Sequence, residues 1–192
     1  MTYDMTAIQD RLREKQNGRR FTHTLGVQYT SACLAMKYGA DIHRAQLAGL
    51  LHDCAKHKKP DKLLAFCQER QLPVTAAQQR QPFLLHGIVG AYVAREKYGV
   101  DDPEILSAIQ WHTTGKPDMS LLEKIVFTAD YIEPNRNMAP NLDELRKISF
   151  EDLDDAIYRI LKQTLEYLKS TPEDIDETTE ITFKYYKTIL GH

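Results

Sequence analysis

The 192-residue chain has little that would tie it to a membrane, to nucleic acid or to an oxidising compartment. No apolar run approaches the roughly 20 residues of a membrane span, and no basic-plus-apolar leader opens the sequence. Charge of one sign is not in excess: 25 Lys and Arg stand against 27 Asp and Glu, for a net charge of −2. That near balance argues against bulk attachment to nucleic acid or to an anionic surface. The basic run Lys56-His57-Lys58-Lys59 is too short for a nucleic-acid patch and has no aromatic partners. Cysteine is scarce. Cys33, Cys54 and Cys67 are odd in number and lack a Cys-x-x-Cys spacing, which speaks against a disulfide framework. They are expected to be reduced, core or near-core thiols of a cytoplasmic protein. Repeats and sustained strand alternation are missing too.

What the chain does carry is helical periodicity, punctuated by caps. Ile8 and Leu12 set a short amphipathic helix over 6–15, ending near Asn17-Gly18. A longer helix opens at 19–23 and reaches Tyr38, with Gly39 as its stop. Asp41 is the expected N-cap of a third, which holds Leu47, Leu50, Leu51 and the His52-Asp53 pair. Behind Pro60 comes a short helix over 61–70. Residues 72–82 read as a loop or broken helix. His86 begins a helix through Tyr98, closed by Gly99, and Asp101-Asp102-Pro103 caps one from Glu104 to His112. After a turn at 113–117, Ser120 caps a helix through Asp130 and Ile132. Residues 133–141 form the clearest loop. Ser149 to Asp152 has the form of a capping box with Asp in the last place, leading a long helix to Lys169. Thr171-Pro172-Glu173-Asp174 is expected to start the last helix. The expectation is an all-α fold in one domain. Its core spans about 19–136, and further helices over about 142–190 pack on it or on a second copy.

The chemistry centres on His52-Asp53, at the end of the apolar run 45–51, with Lys56 following. In a continued helix His52 and Lys56 share a face. Four more residues of ligand type, His23, His86, His112 and Asp130, each fall near the end of an expected helix, beside a turn. Helix ends that converge can deliver all six to one pocket. Imidazole and carboxylate together suit iron, manganese or zinc better than magnesium. Such a site acidifies a water and polarises a phosphoryl oxygen. His43, His57 and His192 are expected to face solvent, and Tyr158, Leu161, Leu165 and Leu168 to serve helix packing. The acidic residues at 152–155 and 173–180 lack EF-hand spacing and read as solvated faces.

The order His, His-Asp, His, His, Asp resembles the HD-domain superfamily of metal-dependent phosphohydrolases. Three strings narrow the likeness to its YqeK-type branch, the symmetrical bis(5'-nucleosyl)-tetraphosphatases. They run from Arg20 to Val27, from His52 to Lys56 and from Ala129 to Arg136, and the turn from Trp111 to Gly115 is similar as well. The resemblance implies an HD-type helical fold with additional C-terminal helices, and cleavage of diadenosine tetraphosphate into two ADP by a metal-activated water. It implies iron as the usual metal, as one or two ions, with manganese or zinc as alternatives. His23, His52, Asp53 and Asp130 would be the primary ligands. His86 and His112 would join Asp53 on a second metal or donate to phosphate oxygens. Lys56 and Arg136 look like phosphate clamps, and Thr113 falls among the substrate contacts with His23, Asp53, His86 and His112. The competing expectations are another nucleotide-cleaving HD phosphohydrolase and a nucleotide sensor without turnover.

Overall fold

Side-chain caps set most element boundaries in the computed structural model, which describes residues 3–171 and 174–192. Asp4 caps α1 (Met5–Arg13), and Asn17 accepts the Arg20 N–H to start α2 (Gly18–Tyr38). Gly39, in the left-handed region at φ 72°, ends α2. Asp41 caps α3 (Ile42–Leu51), and Pro60 is the first residue of α4 (Pro60–Glu69). The broken stretch resolves into α5 (Ala76–Arg80), held by a Thr75–Gln78 capping box, and a 3-10 helix at Pro82–Leu85. Then come α6 (His86–Tyr98), α7 (Pro103–Trp111) capped by Asp102, and α8 (Leu121–Ile132) with a Ser120–Glu123 capping box. The chain closes with α9 (Leu142–Ser149), α10 (Leu153–Lys169) and α11 (Glu177–Ile189). There is no strand among the described residues, so the all-α expectation holds.

Three local expectations need correcting. The third helix does not continue past His52. It stops at Leu51, and 52–57 winds as successive tight turns, with Cys54 N–H on Leu51 O and Lys56 N–H on Asp53 O. Lys56 therefore reaches the site on a turn and not on a helix face. Residues 142–149 form a helix of their own. Its last residue is Ser149, whose hydroxyl donates to Leu145 O, so no capping box starts there; Asp152 alone caps α10. The last helix begins at Glu177 under an Asp176 cap, while Pro172 and Glu173, on which its expected start fell, lie outside the described residues.

The core sits where α2 lies along α3 and both meet α8, with α6 and α7 continuing the layer. Leu34, Leu47, Leu50, Leu51, Ile109 and Ile125 are fully buried in it, each contributing roughly 1.5–3 kcal/mol of apolar transfer. The C-terminal helices pack inward, α10 on α8 and α9, and α11 on α10. Tyr158 stacks on Phe183 there at 5.5 Å. A close approach at Gly87 brings α6 onto α7, because a Cβ at that position would overlap the Gln110 carbonyl oxygen. No helix among the described residues is long and apolar enough to cross a membrane.

Cys54 and Cys67 are buried, as expected, but Cys33 is exposed. On α2 it shares the outward face with Tyr29 and Met36, while Ala32 and Leu34 on either side are buried. A thiol-reactive chromophore should therefore titrate one cysteine in the native protein and all three after denaturation, since only Cys33 is exposed.

Candidate active site

Three imidazoles are anchored in the same way. The Nδ1–H of His52 donates to Gly49 O at 2.6 Å, that of His86 to Phe83 O at 2.6 Å, and that of His112 to Ile109 O at 2.7 Å. A carbonyl can only accept, so each ring carries a proton on Nδ1 and turns Nε2 inward. The geometry follows from helix ends. His52 and His112 follow the last residues of α3 and α7, where final-turn carbonyls lack a backbone partner. His86 follows the 3-10 helix, and the Phe83 carbonyl accepts both its backbone N–H and its ring Nδ1–H.

The inward nitrogens converge on Asp53. Its Oδ2 lies 3.5 Å from His52 Nε2, and its Oδ1 lies 3.4 Å from His86 Nε2 and 3.5 Å from His112 Nε2. The His86 and His112 Nε2 atoms are 3.1 Å apart, with the Thr113 hydroxyl 3.1 Å from each. On the other side His23 Nε2 lies 3.0 Å and His52 Nε2 3.8 Å from Asp130 Oδ1. Two triplets have ligand atoms within 4.8 Å of one another: His23, His52 and Asp130, and His52, Asp53 and His112.

Burial makes this arrangement costly without a cation. His52 Nε2 and Asp53 Oδ1 are buried polar atoms with no hydrogen-bond partner, and His23 Nε2 has only the Asp130 carboxylate against it. Each such atom costs about 1–3 kcal/mol unless something satisfies it. A divalent metal with nitrogen and oxygen ligands would do so, and the donor set fits one. Asp53 is strongly buried, which opposes ionisation, yet His52, His112 and His86 hold its carboxyl well below the usual range. Burial likewise works against the His23 cation, but Asp130 and Glu133 outweigh it and push that imidazole up to about 9. His86 goes the other way, to about 3, under burial and the adjacent Lys56 ammonium.

Cationic side chains ring this floor. Lys56 Nζ stands 3.1 Å from His86 Nε2, Arg20 pairs with Asp53 Oδ2 at 2.7 Å, and Arg136 with Asp130 Oδ1 at 3.2 Å. All three line one cavity of about 500 Å³ with His23, Asp53, His86, His112, Thr113 and Asp130. The structure thus brings every site residue expected from the sequence to one place, with His52 directly beneath.

The HD domain profile matches residues 20–135, the stretch that contributes all of these side chains except Arg136, which directly follows it. The chain belongs to the HD domain family. A symmetrical bis(5'-nucleosyl)-tetraphosphatase of Bacillus subtilis is 36% identical over 174 residues, covering 91% of this chain and 92% of that protein. One of the same name from Halalkalibacterium halodurans is 41% identical, covering 85% of this chain and 87% of its own. A crystal structure from Clostridium acetobutylicum, described as a predicted HD superfamily hydrolase involved in NAD metabolism, superposes with a TM-score of 0.94. It is 36% identical and covers 98% of this chain and 100% of that one.

Beyond the HD residues, sequence reasoning overlooked three supports. Glu133 is buried and its Oε1 accepts the His23 Nδ1–H at 3.0 Å, so His23 too presents Nε2 to the site. Gly26 makes room for that carboxylate: a Cβ there would collide with Glu133 Oε2 and lie 2.9 Å from its Cδ. Arg146, on α9, ties down the loop that carries Glu133 and Arg136 by donating to the carbonyls of Ile132, Glu133 and Arg136. Glu133 was visible inside the Ala129–Arg136 string. Arg146 left no local signal, because its partners are backbone atoms. Gly26→Ala should displace Glu133 and lower metal affinity about 10–100-fold, as loss of an outer carboxylate on a ligating histidine does. Metal titration of the apo-protein beside Glu133→Gln checks this, and both variants should weaken binding to a similar degree.

Proposed function

We propose that the chain hydrolyses dinucleoside tetraphosphates in the middle, giving two nucleoside diphosphates, with diadenosine tetraphosphate yielding two ADP. The observation that carries this is the set of buried, unpartnered Nε2 and carboxylate atoms at the floor of a cavity ringed by Lys56, Arg20 and Arg136. The choice of substrate is supported by relatives of that name at 36–41% identity over most of the chain.

His23, His52, Asp53 and Asp130 would hold the primary metal, and Asp53, His86 and His112 a second. We take iron as the resident metal, with manganese or zinc able to occupy the same ligands. When bound, the metal lowers the pKa of a nearby water and polarises a phosphoryl oxygen. The protein's remaining tasks are positioning and charge neutralisation. Asp53 orients the attacking water toward one of the two inner phosphorus atoms. Lys56 and Arg136 neutralise the equatorial and leaving oxygens as the central anhydride bond breaks. One ADP leaves with the bridging oxygen and the other takes up the water oxygen. Where no second metal is held, His86 and His112 instead meet the phosphate chain, beside the Thr113 hydroxyl. Residues 19–136 act as the catalytic core and the C-terminal helices complete one domain. The free thiols agree with a cytoplasmic setting.

Chromatography of products from diadenosine tetraphosphate tests this with anaerobically purified, metal-loaded protein. ADP alone is expected. ATP plus AMP would mean asymmetric cleavage and another HD phosphohydrolase, and tight binding without products would mean a sensor.

A further inference from the structure

A second cavity, of about 210 Å³, shares the Thr113 wall with the first. Its lining differs in kind. Val74, Leu84 and Ile88 supply apolar surface, the half-buried indole of Trp111 supplies a flat face, and no charged residue lines it. Neither the Trp111 N–H nor the Gln110 side-chain amide has a hydrogen-bond partner among the described residues. A third wall comes from Thr178, at the start of α11, so the C-terminal helices help to enclose the space.

A dinucleoside polyphosphate has two chemically distinct parts, a charged chain and neutral planar bases. The cavity ringed by Arg20, Lys56 and Arg136 suits the first part, its floor carboxylates Asp53 and Asp130 being paired with Arg20 and Arg136. The neighbouring cavity, uncharged and lined by Trp111, suits the second. It is smaller than the roughly 300–1,000 Å³ of sites for drug-sized ligands, a scale that fits one ring system and excludes a whole nucleotide. We infer that this cavity receives one purine base of the substrate, stacked on Trp111, with the Gln110 amide meeting the base edge. The inference rests on reading the first cavity as the polyphosphate site. The division is physical: stacking holds any base through its π-face, while the free amide can distinguish bases by their edge groups.

Trp111 is the single tryptophan of the chain, so its fluorescence reports on this cavity alone. The metal-loaded protein is titrated with ADP and, separately, with inorganic diphosphate. ADP should quench the emission saturably, whereas diphosphate should compete with ADP for the site and leave the emission unchanged. Trp111→Leu should raise KM for diadenosine tetraphosphate roughly 5- to 100-fold, the range that base–aromatic stacking supplies, with a much smaller change in kcat. Ile88→Phe, which fills the cavity from α6 and leaves Trp111 in place, should raise KM in the same way. The base site is overturned if ADP competes in hydrolysis yet leaves the emission unchanged, or if both variants keep the parent KM. An absence of hydrolysis would instead overturn the tetraphosphatase reading, and the ADP quench would still decide for or against the base site.

Discussion

Asp53→Ala is expected to remove both turnover and bound metal, with a loss well beyond the about 10–100-fold typical of outer groups at metal sites. No other side chain touches so much of the site. Its two oxygens lie within 3.5 Å of His52, His86 and His112, and 2.7 Å from Arg20. It is buried, and the surrounding imidazoles keep it ionised. Removing it leaves the convergent Nε2 atoms without the carboxylate they share and Arg20 without its partner. Asp53→Asn separates shape from charge: it retains the volume, and metal content by elemental analysis should still fall together with activity. A variant that keeps its metal and a tenth or more of the parent turnover would contradict the role given to Asp53.

Lys56→Ala should leave metal content unchanged and lower kcat/KM about 100- to 1,000-fold, the cost of losing one preorganised charge at a developing anion. The ammonium sits 3.1 Å from His86 Nε2. Burial disfavours its charge, and Asp53 and Asp130 oppose that effect. Lys56 thus places a desolvated positive charge beside the ligand cluster without taking a ligand position. Lys56→Arg should not restore activity, since the planar guanidinium is larger and directs its donors differently. Arg136→Ala should cost less, because that side chain is 40% exposed and the loop that carries it is solvated. Elemental analysis beside steady-state kinetics checks both variants, and loss of metal from Lys56→Ala would contradict its assignment to the phosphates.

The helices that carry the site were legible because their boundaries are written in local chemistry. Gly39 and Gly99 stop α2 and α6 in the left-handed region, and Asp41, Asp102 and Ser120 cap α3, α7 and α8. Since each ligand lies near a boundary, locating the helices also located the ligands. Their family order then implied which of them meet. What stayed hidden was interaction at a distance. Glu133 reaches back 110 residues to His23, through a gap that exists because position 26 lacks a side chain. Arg146 acts on carbonyl groups, which no residue pattern encodes. The helical spacing of His52 and Lys56 points to a helix over 52–57, but the turn's i to i+3 hydrogen bonds carry Lys56 to His86 instead. The short α9 escaped notice between the 133–141 loop and the Asp152 cap.

The most direct test of the convergence of these ligands is anomalous diffraction at the iron edge from crystals loaded with Fe(II) without oxygen. The expected result is an anomalous peak within coordination distance of His23, His52 and Asp130, with any second peak beside Asp53, His86 and His112. Metal bound elsewhere, or no anomalous peak at these residues in a crystal whose protein turns over substrate, would contradict it.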